Sequence, residues 1–479
     1  MECRSQRRQN APLEYRDANI VRFLLPVIQL RSILKEPTLG EMEDALERIP
    51  EDLNQALKDT IERIRSQPES RARLGMNALM WISHSRRSLT ISELIDALAV
   101  KDEQTRFRAN YRPTSSMVLE CCQGLVNLDS ETDGIRPAHY SIQQYLAENS
   151  STLFPHAIAS MAIICLKFLS FEDFKDGPWD AEKDIASQAL SYPFLFYAAS
   201  SWGTHSKGIE HDPNVWSSLH KFFGSKSACA VANQILRFCT GFRREYYNPD
   251  ECRSFTPLHH AARSGLVHCM NYFLDTNTYA VNEVTQMGAT PIILAAANDE
   301  AELVKILLQR GADHYLRNWY GNALHCAVEA GCLDAMRELI EWGLRPQPLD
   351  EYIDCTMDRD REEAFEILFE QKEPHPDSKD PSAVDYFQLA ATIGNGNIVE
   401  VMIKRKWVDM EVEDESTGQR AVHLAAAALR PHALHRLIVL GANLNAVDKT
   451  GKTAMDYAVQ FERYGNIDLL QASEIFKHH

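Results

Sequence analysis

Long apolar runs are missing from this 479-residue chain. The longest, Phe23 to Leu30 and Met161 to Leu166, fall far below the roughly 20 residues that cross a bilayer. The amino terminus, MECRSQRRQNAPLEYRDANI, lacks the apolar core of a secretory signal. Membrane insertion and export are therefore not expected. Zinc-type cysteine pairs are absent too, since none of the 11 cysteines forms a C-x-x-C. An odd number of cysteines without a framework reads as reduced thiols in a cytoplasmic or nuclear compartment. Excess positive charge is also lacking: 67 acidic residues against 50 basic give a net charge of -17. Such a chain repels polyanions, so neither nucleic acid nor an acidic membrane is an expected partner. No long stretch is biased toward Pro, Gly or Ser, and a chain of this length exceeds a single core, so several folded pieces are expected.

Signatures of catalysis are missing as well. There is no G-x-S-x-G elbow, no dinucleotide-binding glycine pattern, no kinase signature and no H-E-x-x-H. The pairs His259-His260 and His432 to His435 come without a Cys/His set, so no metal, cofactor or catalytic residue is expected and the chain reads as a non-enzyme.

What is present is self-similarity. Thr256-Pro-Leu-His-His-Ala-Ala-Arg-Ser-Gly265 returns as Thr290-Pro-Ile-Ile-Leu-Ala-Ala, Asn322-Ala-Leu-His-Cys-Ala-Val, Arg420-Ala-Val-His-Leu-Ala-Ala and Thr453-Ala-Met-Asp-Tyr-Ala. Pro257, Pro291 and Ala323 are 34 and 32 residues apart, and Ala421 and Ala454 are 33 apart. Each position has a physical task. Thr caps a helix, Pro occupies its first turn, the Ala pair allows close stacking, and Gly265 supplies a left-handed residue that ends the helix. Val267, Met270, Phe273 and Leu274 form the apolar stripe of a second helix, as do Leu303, Ile306, Leu307 and Leu308. The unit resembles the ankyrin repeat, T-P-L-H-x-A-A-x-x-G, with its period of about 33 residues. Gly311-Ala312-Asp313 and Gly441-Ala442-Asn443 match that family's exit turn. Tyr386 to Gly394 is a weaker copy, and Tyr352 to Phe369 is a degenerate one, with Ala364, Ile367, Leu368 and Phe369 as its helix pattern. The count is seven repeats with the fourth degenerate.

Before residue 250 longer amphipathic helices are expected. Thr38 to Pro50 and Glu51 to Ile64 read as two helices broken at Pro50. Ala78 to Val100 reads as helix, turn, helix, with a capping box from Thr90 to Glu93, and resembles a winged-helix unit. With Val118 to Leu128, His139 to Leu146 and Tyr192 to His205, it resembles the region after the nucleotide-binding core of fungal NACHT-type ankyrin proteins. That resemblance implies a P-loop, G-x-x-x-x-G-K-[ST], upstream of the winged helix. None is expected within this sequence, and Gly451-Lys-Thr453 reads as the Gly-x-Thr of the last repeat. The resemblance also implies nucleotide contact by a winged-helix histidine, here His139, for which a capping role is the expected alternative. A winged helix can read DNA, but the helix assigned to the groove, Ser92 to Val100, carries Glu93 and Asp96 and no Arg or Lys.

The expected fold is dominated by α-helix: a helical segment at 1-70, a winged-helix-like domain at 71-150, a helical domain and linker at 151-250, and an ankyrin α-solenoid at 251-479. The expected function is a protein-protein interaction scaffold or adaptor in the cytoplasm, with nuclear location as the alternative. The second expectation is a remnant or incomplete gene model of a NACHT-type signalling NTPase, and the third an unrecognised enzyme. Tyr315, Arg317, Trp319 and Tyr320, on one hairpin tip, are the expected partner contacts, because aromatics and Arg dominate interface hot spots.

Overall fold

Amphipathic spacing generates the first helix. Leu57, Ile61 and Ile64 fall on one stripe of α1 (Leu53–Arg65), and the Asp52 carboxylate accepts the Gln55 N–H to start it. This is a feature of a computed structural model that describes residues 38, 40–42, 52–180, 182–239, 248–346, 348–357, 361–372 and 381–476. The helix expected from Thr38 to Pro50 lies almost wholly outside the described residues, as do residues 241–247 of the expected linker, Gly241 to Ser254. The chain divides into two compact units, Met1–Pro257 and Leu258–His479.

In the first unit, α2 (Glu69–His84) leads into a short strand β1 (Leu89–Thr90) and α3 (Ile91–Ala99). Then come α4 (Ser115–Cys121), β2 (Val126–Leu128) and β3 (Gly134–Pro137). The strands form an antiparallel sheet in the order β1-β3-β2, with Leu89 opposite Ile135 and Val126 opposite Pro137. Three helices with a small sheet closing on the first strand make a winged helix. The Thr90 to Glu93 capping box is present: the Thr90 hydroxyl accepts the Glu93 N–H, and the Glu93 carboxylate accepts the Thr90 N–H at 2.9 Å.

Two features of this domain correct the sequence reading. The second helix of a helix-turn-helix is the one that enters a groove; here it is α4, immediately before the β2-β3 wing, and not Ser92 to Val100. Glu93 and Asp96 do not face solvent either. They are 6% and 1% exposed and paired with Arg87 and Arg112. An unpaired carboxylate inside the fold would be costly, and those arginines remove the penalty. Neither α3 nor α4 contains Lys or Arg.

Behind this domain, α5 (Tyr140–Glu148) and the short α6 (Ser150–Leu153) lead to α7 (Ala157–Leu169), α8 (Glu182–Ser191), α9 (Phe194–Ser206), α10 (Pro213–Phe223), α11 (Lys226–Cys239) and α12 (Pro249–Ser254). Trp81 of α2 packs edge-on against Phe194 of α9 at 5.3 Å, and Phe168 of α7 meets the same ring at 5.1 Å. The winged helix and these helices therefore share one aromatic core.

Among the described residues, the second unit is a run of seven helix pairs. Repeat 1 is Pro257–Ser264 with Val267–Asp275, repeat 2 Pro291–Ala297 with Ala301–Gln309, and repeat 3 Ala323–Ala330 with Leu333–Glu341. Repeat 4 is Leu349–Met357 with Glu362–Phe369, and repeat 5 Pro381–Ile393 with Gly396–Lys404. Repeat 6 is Ala421–Ala427 with His432–Leu440, and repeat 7 Ala454–Gln460 with Tyr464–Phe476. First helices stack on first helices from repeat 2 to repeat 4 and from repeat 5 to repeat 7, and second helices stack on second throughout, the nearest-neighbour packing of a solenoid. The Ala pairs 261-262, 295-296, 390-391 and 425-426 are almost fully buried at these contacts. Val267 and Ile306 are only half-buried, and Cys269 and Val304 complete the stripes expected to contain them.

Repeat 4 has no Ala pair. Its second helix buries Phe365 and Phe369, which stack at 5.1 Å, and Trp407 of the next repeat closes on Phe369 at 4.9 Å. Large rings fill here what small residues leave out elsewhere.

Gly394 ends the first helix of repeat 5 at φ +82°, and a Cβ there would stand 2.7 Å from the Arg430 carbonyl oxygen. Gly394→Ala adds left-handed strain to a backbone clash, so we expect a loss of about 2 kcal/mol. Urea unfolding checks it; an unchanged midpoint would refute the clash.

Candidate partner-binding surface

The loops, or fingers, that lead into repeats 2, 3, 6 and 7 are held by short-range hydrogen bonds. In the finger after repeat 2, the Asn318 side-chain oxygen accepts the N–H groups of Tyr320 and Gly321 at 2.8 and 3.0 Å. Asn318 and Gly321 also form an isolated bridge. This Asx arrangement is a side-chain mimic of a backbone turn. Asp313 accepts the Tyr315 N–H at 2.9 Å, and Asn282 of the preceding finger accepts the Asp313 N–H at 2.8 Å. Neighbouring fingers are thus tied to each other.

The same place in other fingers is taken by Asp414 and Asp448. Asp448 accepts from the Tyr457 hydroxyl at 2.6 Å, from both Thr450 groups and from the Lys452 N–H, and these bonds hold its pKa well below the carboxylate range. Asp414, accepting chiefly from Ser416 and Thr417, is held at about 2. Carboxylates so engaged frame the loop and are not general bases.

Histidines anchor the fingers from below. His259 Nε2–H donates to the Glu283 carbonyl at 3.1 Å, and His423 Nε2–H donates to the Ala446 carbonyl at 2.9 Å. Both carbonyls can only accept, which fixes the hydrogen on Nε2. Burial pushes His259 down to about 4. These side chains are structural, and His325, at the equivalent place, lies edge-on to Tyr352 at 5.5 Å. His139, the other singled-out histidine, caps α5 by accepting the Ser141 N–H at 3.1 Å. Among the described residues no three His, Cys, Asp or Glu side chains converge as metal ligands, and no helix is long and apolar enough to cross a membrane.

The four side chains expected to meet a partner stand together on the second finger. Tyr315, Trp319 and Tyr320 are 63, 72 and 50% exposed, and Arg317 is exposed between them. Arg317 is close enough to the Tyr352 phenol for its charge to oppose the upward shift that burial imposes on that group.

Two further residues belong to this surface class and were not anticipated. Val284, on the preceding finger, and Val447, on the finger before repeat 7, are each 55% exposed. Val284 lies one repeat period before Arg317, and Val284, Arg317 and Val447 each directly precede the framing residue, Thr285, Asn318 or Asp448. The signal that could have found them is that phase, exposed in each of these fingers and chemically different from one to the next.

Comparison with known proteins agrees with both units. The model for ankyrin repeats matches three times, over residues 226–318, 258–350 and 387–478. The model described as the GPI inositol-deacylase winged helix domain matches residues 66–158. Ankyrin repeat and SOCS box protein 11 of Homo sapiens is 31% identical over 88 residues, 18% of this chain and 27% of that protein. Human ankyrin repeat domain-containing protein 53 is 31% identical over 130 residues, 26% of this chain and 23% of that protein. The crystal structure of the human ASB11 ankyrin repeat domain aligns with a TM-score of 0.35 at 23% identity, covering 45% of this chain and 98% of that one. The chain thus spans about a quarter of the length of these curated relatives. It carries ankyrin repeats in its carboxy-terminal half and a winged helix of the GPI inositol-deacylase type in its amino-terminal half.

Proposed function

We propose that this chain is a cytoplasmic, non-enzymatic adaptor that holds a protein partner on its ankyrin fingers, with Tyr315, Arg317, Trp319 and Tyr320 as central contacts. The observation that carries this reading is the grouping of three exposed aromatic rings and an arginine on a finger framed by its own Asx bonds. A framed tip presents such side chains with little ordering cost on binding. The remaining organisation is proposed as a helical segment at 1-70, a winged-helix domain at 71-150 and a helical domain at 151-250 that support the array. The net charge of -17 disfavours nucleic acid as the ligand.

Changing all four residues to Ala should abolish capture of at least one partner retained by the wild type. Truncating each true hot spot removes about 2 kcal/mol or more, roughly 30-fold in affinity. Affinity purification from the native host checks this, and a variant that keeps every wild-type partner would remove the proposal.

The winged-helix match favours a second reading, in which the array reads out a nucleotide-switched signalling protein of the NACHT type. Micromolar binding of ATP by the expressed chain would support that reading over the adaptor.

A further inference from the structure

Within the amino-terminal unit, the loop after α3, the carboxy-terminal half of α7 and the middle of α10 border a cleft of about 410 Å³. That volume lies within the range of small-molecule sites, roughly 300–1,000 Å³. Its apolar part is Ile163, Leu166 and Phe171, and its polar part includes Lys167, Lys221 and Gln104.

We propose that this cleft binds a small organic anion, a phosphate or carboxylate carried on a short apolar group, with Lys167 and Lys221 as its ligands. The charges around the cleft favour an anion once each is assigned. Glu172 is taken by Arg106 at 2.8 Å. Asp102 is fully exposed and its carboxylate stands 3.9 Å from the Lys167 ammonium, beyond a made hydrogen bond. Lys221 makes no ion pair among the described residues. With Asp102 set against one lysine, the cleft keeps one cation in excess.

Lys167 is the unusual member. Its side chain is 16% exposed, with the stem along apolar surface, and its ion-pair partner Asp102 is fully exposed and 3.9 Å away. A largely buried ammonium whose countercharge is a distant, solvated carboxylate is poorly compensated, and an anion seated against it offsets the cost of burial. Burial depresses its pKa, Asp102 and Glu103 oppose that shift, and the charge of Lys221 adds to it. Two like charges held toward each other are what an anion relieves. Gln104 adds a donor: it is 7% exposed, its oxygen accepts the Lys101 N–H at 3.2 Å, and its amide nitrogen has no partner among the described residues.

The test is calorimetric titration of the full chain with phenyl phosphate and, separately, with benzoate. One of the two should bind with one-to-one stoichiometry, and whichever does so identifies the head group. Lys167→Gln should weaken that binding about tenfold or more, the loss of one charge-assisted bond, and Lys221→Gln severalfold. Lys221 is exposed, so its variant decides the matter if Lys167→Gln fails to fold. The proposal is overturned if neither compound binds at ~1 mM, a threshold of about 4 kcal/mol, or if the variants that fold bind as the wild type does.

Discussion

Acidification from pH 7 to pH 4.5 is expected to cost the ankyrin array about 2 kcal/mol through His259 alone. His259 is completely buried, and its pKa falls from 6.5 to about 4 because burial disfavours the imidazolium. Between those values the unfolded chain takes up a proton that the folded chain refuses. Stability is therefore complete above pH 6.5 and is lost as the pH falls toward 4. His260, buried beside it and pushed further down by the same cause, acts in the same direction. Urea unfolding of the array, followed by amide exchange at the two pH values, measures the loss. His259→Gln should flatten the dependence without abolishing it, since His260 remains. Equal midpoints at pH 7 and 4.5 in the wild type would show that neither histidine is buried neutral.

In the winged helix, Arg112→Ala is expected to cost about 3–5 kcal/mol, the range for breaking a buried ion pair from one side. Asp96 is 1% exposed and already carries a raised pKa from burial, and Arg112 Nε donates to it at 2.6 Å. Removing Arg112 leaves that carboxyl without its countercharge. It also strips a cation from the face of Phe107, 4.9 Å away, and a donor from the Ser191 carbonyl. Adding Asp96→Asn to Arg112→Ala should recover a large part of the loss, because the amide brings no charge inside. A chemical-denaturation cycle on the two single variants and the double tests this. A loss below about 1 kcal/mol for Arg112→Ala, the level of an exposed pair, would mean that water reaches Asp96 after all.

The array was legible because a solenoid repeats its physics every 33 or so residues, so the Thr-Pro start, the Ala pair and the terminal Gly each appear in phase several times. Repeat 4 read poorly because it solves the same packing with Phe365, Phe369 and Trp407, and Trp407 belongs to the following repeat. In the winged helix, strands of two to four residues carry too little alternation to be recognised alone. Helical spacing alone therefore points to Ser92 to Val100 as the groove helix in place of α4. The inward course of Glu93 and Asp96 depends on Arg87 and Arg112, partners that composition and helical spacing do not point to. The aromatic finger was readable because the ankyrin phase says which loop residues lie at the tip. The Lys167 and Lys221 cleft was not, since it joins residues from separate helices and a loop.

The bonds described for the second finger run through Asn282, Asp313 and Asn318, and the side chains proposed to meet a partner sit between and beside them. Frame and contact are thereby written in different letters of the same short stretch. Drift at positions 315, 317, 319 and 320 can change what is recognised while the loop keeps its shape, and drift at the framing positions is penalised whatever the partner. Such a division lets recognition diversify quickly between lineages on a scaffold that stays recognisable.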